Sequence, residues 1–262
     1  MNIIYPHTLP EPAEPAAARH VSRRGGSFTY DDALVVEHTM EILINEQPAY
    51  QVVCSPTDLP QLVLGRLLSE GIIHSRAQVE TIYLCENGLR ARVFLPGREI
   101  TPAPAPGPEL VATCCTGNRT IADLFRDRER PKPVEKLDYD PAWIFALAEE
   151  MKEDMPLYTA THGTHSCLIQ HRGEILRRAE DIGRHNALDK VLGWALEQGI
   201  PLGECIVYTS GRIPVDMVLK VIRAGVPVFA SKAMPTAESV ALAKEFGLTL
   251  IGAARVGSMV LF

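Results

Sequence analysis

The chain has 262 residues, of which 46% are hydrophobic and 22% charged, and its formal net charge is −6. This is enough for one large domain or two modest ones with a sizeable core. The acidic balance gives no global attraction to nucleic acid or to an anionic membrane. No apolar run approaches the roughly 18 residues of a spanning helix, and the first residues lack the order of a secretory signal. We therefore expect a cytoplasmic location, without nucleic-acid or membrane partners.

Residues 28–110 predict a β-rich portion with one helix, after a Pro- and Ala-rich lead over residues 1–27 that we predict to be disordered. A hairpin is predicted with strands over 34–44 and 49–54. Thr57 or Asp58 can cap a helix with leucines along one face, which ends near residue 70. Asn87-Gly88 is a strong turn signal between strands over 81–85 and 89–95.

A cysteine loop and connector is predicted over residues 111–140. Five prolines between residues 96 and 108 exclude a helix or a central strand, so they predict an extended tether that leads to Cys114-Cys115. Asn118 can cap a short helix to about residue 127. Asp140-Pro141 opens another helix, which runs to about residue 153.

Residues 141–262 show the strand–helix alternation of an α/β domain. Strands are predicted over 157–161, 167–170, 175–179, 205–209, 226–230 and 248–253, and helices over 186–198, 215–224 and 237–246. This spacing predicts a parallel sheet with right-handed crossovers. The predicted fold class is α/β, a layered domain with the β-rich N-terminal portion attached.

Four loops at predicted strand ends each supply a cation, namely Arg184, Arg212, Lys232 and Arg255. Ligands of open parallel sheets bind beyond the carboxyl ends of the strands, and helix N-termini attract anions. We therefore predict a pocket for a phosphate-bearing ligand. The alternative is ordinary ion pairing of these cations with nearby acids, which are Glu180, Asp181, Asp216 and Glu238.

His162 and His165 lie in a Thr/Gly loop after a predicted strand. They can bind metal, exchange protons or hydrogen-bond the backbone, and the sequence does not decide among these roles. A zinc site needs three or four ligands, and the further candidates nearby are His171, His185 and Cys167. The zinc deaminase motif, the Walker A loop, the Gly-x-Gly-x-x-Gly loop and the Gly-x-Ser-x-Gly elbow are absent from the sequence. We predict no metal.

The six cysteines fall into two kinds. Cys54, Cys85, Cys167 and Cys205 lie in apolar stretches and are interpreted as small buried hydrophobes rather than disulfide partners. Cys114 and Cys115 are adjacent, are flanked by Thr and Gly, and precede a predicted helix start that can lower a thiol pKa. They are the candidate nucleophiles, and an inert pair is the alternative.

Several blocks occur in the order of a known family. They are Ser55-Pro56-Thr57-Asp58-Leu59, Leu68-Ser69-Glu70-Gly71-Ile72-Ile73, Thr161-His162-Gly163-Thr164-His165, Glu180-Asp181-Ile182-Gly183-Arg184-His185-Asn186-Ala187-Leu188-Asp189-Lys190, Ser210-Gly211-Arg212, Ala230-Ser231-Lys232 and residues 247–252. From about residue 34 to the C-terminus, the chain resembles the formate dehydrogenase accessory sulfurtransferase (FdhD) family.

The resemblance implies a cytidine deaminase-like three-layer α/β fold without the zinc site, usually in a homodimer. It implies a sulfurtransferase that passes sulfur from a cysteine desulfurase, through a cysteine persulfide, to the molybdenum cofactor of formate dehydrogenase. It also implies binding of the bis(molybdopterin guanine dinucleotide) form of that cofactor, with a guanine nucleotide able to occupy the site. The family's cofactor segment maps onto Ala253-Ala254-Arg255-Val256-Gly257-Ser258. The binding set is completed by Arg184, Arg212, Lys232, His162 and His165.

Two departures from the family pattern affect these expectations. Many members have Cys-Gly-x-Cys-Gly in the sulfur loop, whereas this chain has Thr113-Cys114-Cys115-Thr116-Gly117. The better register predicts Cys115 as persulfide carrier and Cys114 as resolving thiol. Ala253 and Ser258 replace an aromatic residue and an arginine in the cofactor segment, which bears on cofactor affinity or identity. A non-enzymatic cofactor chaperone and a metal-dependent nucleoside hydrolase are the rival functions.

Overall fold

The computed structural model describes residues 1–4, 8–97, 109–111, 130–153 and 155–262 of the chain. Within these ranges, the strands are β1 (Asn2–Ile4), β2 (Ala13–Val21), β3 (Ser27–Val35), β4 (His38–Ile44), β5 (Gln47–Cys54), β6 (Thr81–Leu84), β7 (Arg90–Phe94), β8 (Glu109–Val111), β9 (His165–His171), β10 (Glu174–Asp181), β11 (Cys205–Thr209), β12 (Val228–Ser231), β13 (Thr249–Arg255) and β14 (Ser258–Leu261). The α-helices are α1 (Leu59–Ser69), α2 (Pro141–Glu153), α3 (Pro156–Thr161), α4 (Arg184–Gln198), α5 (Val215–Arg223) and α6 (Ala237–Glu245).

The N-terminal sheet has the strand order β1-β6-β7-β4-β5-β8. Its two predicted hairpins are confirmed, with β4 antiparallel to β5 and β6 antiparallel to β7. Asn45 and Glu46 both have positive φ (48° and 65°) at the first turn, and Asn87 and Gly88 (55° and 71°) do so at the second. These values explain why Asn and Gly mark such turns, since both tolerate the left-handed region well.

The C-terminal sheet has the order β10-β9-β11-β12-β13-β14 and is mixed rather than purely parallel. The three strands β11, β12 and β13 are parallel, as the strand–helix alternation predicts. By contrast, β9 is antiparallel to both β10 and β11, and β14 is antiparallel to β13. The Arg172-Gly173 turn joins β9 directly to β10, and a tight hairpin can only give antiparallel strands.

Helices cover both faces of the C-terminal sheet, and one hydrophobic core is shared by the two halves of the chain. On one face, α2 packs Ile144 and Leu147 against Leu168, Ile206 and other residues of the sheet. On the other face, α4, α5 and α6 lie against the sheet, and α1 lies between α4 and the N-terminal sheet. The mixed α/β class is confirmed; the cytidine deaminase-like assignment and the domain boundaries stay predictions.

Two glycines allow α1 and α4 to touch backbone to backbone. A Cβ on Gly65 would lie 1.8 Å from the Asp189 carbonyl oxygen, and a Cβ on Gly193 would lie 1.9 Å from the Gln61 carbonyl oxygen. No other residue fits at these distances, so the pair fixes how closely the two halves of the chain approach.

A buried ionic cluster ties α1, α4 and α5 together. Lys220 Nζ donates to both Asp189 carboxylate oxygens at 2.9 and 2.8 Å, and Arg66 Nε lies 3.2 Å from the same carboxylate. Ser69 Oγ also donates to Asp189, at 2.7 Å. Because Asp189 is fully buried, its charge depends on these partners from the neighbouring helices.

Two predicted segments differ in the structure. Within the lead predicted over residues 1–27, β1 pairs with β6 and β2 pairs with β3, so these parts of it are strands. Residues 157–161 are not a strand but lie in helix α3. The first turn of this helix is capped by Glu180, a residue further along the chain. The Glu180 carboxylate accepts from the Leu157 and Tyr158 amides at 3.0 and 2.6 Å, and Pro156 sets the helical φ at the start.

The cysteine loop lies outside the described residues. This applies to Cys114 and Cys115, to the helix predicted after Asn118, and to most of the proline-rich tether. Among the residues that are described, no helix is long and apolar enough to cross a membrane.

Candidate functional site

The C-terminal sheet gathers the predicted loops at one edge. Since β9 is antiparallel to both β10 and β11, the strands β10, β11, β12 and β13 all end at this edge, where β9 begins. His165, at the start of β9, lies opposite Asp181, at the end of β10. We call the loops at residues 181–184, 210–214, 231–236 and 255–258 the cationic edge.

Hydrogen bonds link the second and third loops of the cationic edge to each other and to the start of β9. Ser210 and Ser166 join β9 to the loop after β11, because the Ser210 amide donates to the Ser166 carbonyl at 2.9 Å and the Ser166 amide donates to Ser210 Oγ at 3.0 Å. Ser231 Oγ donates to the Gly211 carbonyl at 2.6 Å. The Lys232 amide donates to the Thr209 carbonyl at 3.2 Å. These contacts make neighbouring loops a connected surface rather than independent ones.

The predicted cofactor segment forms the hairpin between β13 and β14. Arg255 pairs with Ser258, and the turn between them is Val256-Gly257, with Gly257 at φ +91°. Ala253 also has a positive φ (46°), at an irregularity in the pairing of β13 with β14. The segment therefore leaves the regular pairing, and residues 255–258 are exposed to solvent.

Tyr208 anchors this segment from inside the sheet. Its hydroxyl donates to the Ala254 carbonyl at 2.7 Å, and both residues are buried. Burial raises the pKa of Tyr208 to about 12, although the nearby Arg255 lowers it. Tyr208 thus remains a hydrogen-bond donor at any ordinary pH. Nothing in the sequence marks this residue, because an aromatic in a strand gives no sign of its partner.

The four predicted cations lie at this edge in two environments. Arg212, Lys232 and Arg255 are exposed. Arg184 is half-buried, and its side chain lies against Gly211, where a Cβ would come within 3.0 Å of Arg184 Cδ. The glycine of Ser210-Gly211-Arg212 therefore provides the space that Arg184 occupies.

The two predicted histidines have different surroundings. His165 is half-buried, and its Nδ1 lies 3.5 Å from Ser210 Oγ. Burial lowers the pKa of His165, Arg184 and Arg212 lower it further, and Asp181 opposes them. His162 is exposed at the end of α3, with its ring edge-on to Tyr158 at 5.5 Å. The structure thus places His165 among the cations, whereas the ring contact of His162 is with α3.

A third histidine, His185, lies beneath the edge in the first turn of α4. It is buried, and its Nε2 lies 3.4 Å from an Asp216 carboxylate oxygen. Burial lowers the pKa of His185 to about 4; the cations Lys220, Arg184 and Arg66 add to this, and Asp216 opposes it. His185 is therefore neutral at neutral pH. It belongs to the Glu180–Lys190 block, and the only role that the sequence suggested for its side chain was that of a metal ligand.

Asp181 is the centre of a buried polar network at the base of the edge. Its carboxylate accepts from the Ser55 amide at 3.0 Å, from the Gly183 amide at 2.9 Å and from Asn186 Nδ2 at 2.9 Å. Lys190 Nζ lies 2.7 Å from the same carboxylate, and neither side chain has any exposed surface. We call these five residues the Asp181 network. It joins the block that begins at Ser55 to the Glu180–Lys190 block, more than a hundred residues further along the chain.

Three of the four described cysteines are unsuited to nucleophilic chemistry. Cys54, Cys167 and Cys205 are fully buried. Burial raises the pKa of all three thiols, that of Cys205 to about 12. Their predicted role as small buried hydrophobes is confirmed. Cys85 is half-buried.

The donors of the cationic edge fit a phosphate-bearing ligand. Guanidinium and ammonium groups match phosphate oxygens. Helix α4 has 15 residues and its N-cap residue is Gly183. Because Gly183 has no side chain, the N-cap residue cannot hydrogen-bond the backbone amides of the first turn, and such amides attract anions. Within the described ranges, no three His, Cys, Asp or Glu side chains come together as ligands for a metal ion.

This geometry defines a mixed α/β protein with three exposed cations at the carboxyl edge of its second sheet. A sequence model of the FdhD/NarQ family matches residues 35–262, and the chain belongs to that family. Among curated relatives, the "Sulfur carrier protein FdhD" of Staphylococcus haemolyticus is 31% identical over 228 residues, which are 87% of this chain and 86% of that protein. The protein of the same name from Halalkalibacterium halodurans is 30% identical over 231 residues, with the same coverage.

A solved structure has the same fold over nearly the whole chain. It is the crystal structure of a protein from Desulfotalea psychrophila assigned as a formate dehydrogenase accessory protein. The TM-score is 0.76 and the sequence identity is 27%, with 96% of this chain and 97% of that one covered.

Proposed function

We propose that this chain is a sulfur carrier that transfers persulfide sulfur from a cysteine desulfurase to the molybdenum cofactor of formate dehydrogenase, which needs that sulfur for activity. The names of the relatives support the sulfur-carrier class. The observation of most weight in the structure is the cationic edge. There, Arg212, Lys232 and Arg255 lie exposed at the ends of three adjacent parallel strands.

The substrate that this edge would hold is the bis(molybdopterin guanine dinucleotide) form of the cofactor. Arg212 and Lys232 would bind its phosphates, and Arg184 would add charge at the start of α4. His165 is kept neutral by its surroundings, so it can accept or donate a hydrogen bond without adding charge. The hairpin at 253–258 would contact the nucleotide, with Tyr208 holding its backbone in place. His162 stands at the margin of this set.

The sulfur step would use the cysteine pair. The Cys115 thiolate attacks the outer sulfur of the desulfurase persulfide, a new S–S bond forms on Cys115, and the desulfurase cysteine leaves as thiolate. Delivery of that sulfur to molybdenum as sulfide requires two electrons. A second thiol, either Cys114 or a small cellular thiol, supplies them and ends as a disulfide. The burial of Cys54, Cys167 and Cys205 supports the choice of the pair.

Mass spectrometry tests the sulfur step directly. The full chain is incubated with a competent cysteine desulfurase and cysteine, and the intact mass and peptides are then measured. We expect the mass of one added sulfur, removable by thiol and located on Cys115. The Cys115→Ala variant should lose it, and the Cys85→Ala variant, which changes a half-buried cysteine, should retain it. Wild-type activation of formate dehydrogenase by a Cys114→Ala, Cys115→Ala double variant would disprove the proposal.

The alternative is a non-enzymatic chaperone that only holds the cofactor for insertion. It predicts that substitutions at the cationic edge abolish activation whereas the cysteine substitutions do not. Failure of both Cys114 and Cys115 to gain sulfur, with a desulfurase shown to be active, would favour it.

The remaining parts of the proposal concern the setting of the protein. We propose a cytidine deaminase-like fold without a zinc site, no resident metal, a cytoplasmic location and a homodimer. A metal analysis of the purified protein tests the second of these, and would also remove the nucleoside hydrolase alternative if no metal is found.

A further inference from the structure

A cleft lies beside β10, where α3 and the start of α1 also contribute to its walls. Its volume is about 580 Å³, and small-molecule sites typically measure about 300–1,000 Å³. Strand β10 is the outermost strand of the C-terminal sheet, so the cleft runs along an edge strand. The four cations of the cationic edge do not line this cleft, which is therefore a separate candidate site.

The cleft has apolar walls from two elements. Leu157 and Ala160 line it from α3, and Leu176 lines it from β10. Leu176 and Arg177 both line the cleft, although consecutive residues of a regular strand point to opposite faces. The pairing of β10 with β9 is irregular at this point, and such irregularities redirect side chains. Adjacent positions of β10 thus give the cleft an apolar group and a charged one.

Arg177 and Asp58 form an ion pair in the wall of the cleft. Arg177 Nη2 donates to Asp58 Oδ1 at 2.6 Å, and within the described ranges this is the only hydrogen bond that either side chain makes. A guanidinium has five N–H donors and a carboxylate has about four acceptor positions. Since the two side chains are 36% and 27% exposed, most of these donors and acceptors are available to a ligand.

The position of Asp58 in the chain is unusual for a residue with this contact. Asp58 is the N-cap residue of α1, where an aspartate ordinarily accepts from the first amides of the helix. Its side chain makes no such bond. The carboxylate that could cap α1 is instead directed to Arg177 in the wall of the cleft.

The other charged groups that line the cleft are engaged in the fold. Glu180 accepts from two backbone amides at the start of α3. Arg178 pairs with Glu150 of α2. Recognition of a ligand therefore falls to Arg177 and Asp58.

We propose that this cleft binds a free α-amino acid with a large apolar side chain. The α-carboxylate accepts from the Arg177 guanidinium, the α-ammonium donates to the Asp58 carboxylate, and the side chain packs against Leu157 and Leu176. A ligand with a single charge is disfavoured, because Asp58 would repel an anion and Arg177 would repel a cation. An α-amino acid carries its two opposite charges on one carbon, which matches an ion pair whose atoms are 2.6 Å apart.

A ligand held in this way would bridge the two halves of the chain, because Asp58 begins α1 and Arg177 belongs to β10. We therefore expect binding to raise the temperature of thermal unfolding. The site shares no residue with the cationic edge, so the inference is independent of the sulfur-carrier proposal.

Isothermal titration calorimetry of the full chain with L-leucine, L-methionine and L-phenylalanine tests this proposal. We expect at least one of the three to bind with a dissociation constant below about 1 mM. The amide of that amino acid lacks the carboxylate and its N-acetyl form lacks the ammonium, so each should bind at least about tenfold more weakly. Absence of binding by all three amino acids in this range overturns the proposal, as does equal affinity for the amino acid and its amide.

Two variants assign each charge of the ligand to its partner. Arg177→Gln should weaken binding of the amino acid about tenfold and remove the preference over the amide, and Asp58→Asn should remove the preference over the N-acetyl form. A merely structural ion pair would leave both preferences unchanged. The matched control is Arg90→Gln, which breaks an exposed ion pair with Glu41 (2.8 Å) outside the cleft and should leave binding unchanged.

A third variant leaves the ion pair intact and fills the cleft. Ala160 is exposed and lines the cleft, so Ala160→Phe occupies ligand space without altering the core, and binding should weaken at least about tenfold. If Arg177→Gln and Asp58→Asn keep both preferences, or Ala160→Phe binds as the wild type does, the amino acid binds elsewhere and the proposal is wrong.

Discussion

Two polar regions at the same edge of the second sheet differ in almost every physical respect. In the Asp181 network, an aspartate and a lysine have no exposed surface and every polar group has a partner inside the protein. At the cationic edge, Arg212, Lys232 and Arg255 extend into solvent from loops whose backbones are held by Thr209, Ser231 and Tyr208.

The difference separates residues that hold the fold from residues that are available to a ligand. Lys190 and Lys232 both belong to sequence blocks by which the chain resembles its family. The structure places Lys190 in the joint between the N-terminal and C-terminal sheets, whereas Lys232 is free of the core. Motif membership alone therefore does not identify a ligand-binding residue; burial and partners do.

The largest expected effect compares these two lysines directly. Lys190→Ala leaves the Asp181 carboxylate buried without its counter-charge, so we expect the free energy of unfolding to fall by about 3–5 kcal/mol. Lys232→Ala removes an exposed side chain and should change it by less than about 0.5 kcal/mol. Urea denaturation followed by circular dichroism measures both. Equal losses in the two variants would contradict the division of the edge into two regions.

The second expected effect is a loss of stability in mild acid through His185. Its pKa is about 4 in the folded protein, below the ordinary value of about 6.5, so the unfolded chain binds the proton more tightly. The contribution is therefore constant above about pH 6.5 and is lost as the pH falls towards 4, by about 3 kcal/mol. His165 acts in the same direction.

Unfolding free energies measured between pH 7 and pH 4 check this expectation. His185→Gln should flatten the dependence in that window, whereas His74→Gln, at an exposed position, should leave it as in the wild type. A wild-type protein whose stability is constant between pH 6.5 and 4.5 would show that His185 is not held neutral by burial.

The third expected effect concerns ligand affinity at the cationic edge. Arg212→Ala and Lys232→Ala should each weaken GDP binding roughly tenfold, because each removes a charge-assisted contact with phosphate. Isothermal titration calorimetry at two salt concentrations measures the affinity and its dependence on charge. Lys152→Ala, at an exposed position on α2, is the control. Unchanged affinity in both edge variants would mean that the nucleotide binds elsewhere.

The sequence predicted the C-terminal α/β portion well because its pattern is local. Helices α4, α5 and α6 and strands β11, β12 and β13 each show their own apolar periodicity, and their boundaries lie within a few residues of the predictions. The carboxyl ends of parallel strands share one edge, so the meeting of Arg184, Arg212 and Lys232 in one region also followed from the sequence.

Features that depend on distant partners could not be predicted in this way. Helix α3 is capped by Glu180, some twenty residues away, and its Leu-Tyr-Thr composition favours a strand. Strand β2 is rich in Ala and Pro and forms only because β3 pairs with it. Tyr208 gives no sign in the sequence that its hydroxyl reaches the Ala254 carbonyl on a strand two places along the sheet.

The smallest expected effect tests whether that last contact links the core to the cationic edge. Tyr208→Phe removes one buried hydrogen bond and leaves the Ala254 carbonyl unpaired, so we expect a loss of stability of about 1 kcal/mol. If the contact also positions the hairpin at 253–258, the same variant should weaken GDP binding several-fold. Tyr158→Phe, at an exposed tyrosine, should change neither the stability nor the affinity for GDP.

A Tyr208→Phe protein that loses stability but binds GDP as the wild type does would show that Tyr208 stabilises the core and does not position the hairpin. The nucleotide would then depend on the Arg212 and Lys232 loops, which Ser231 and Thr209 hold by hydrogen bonds.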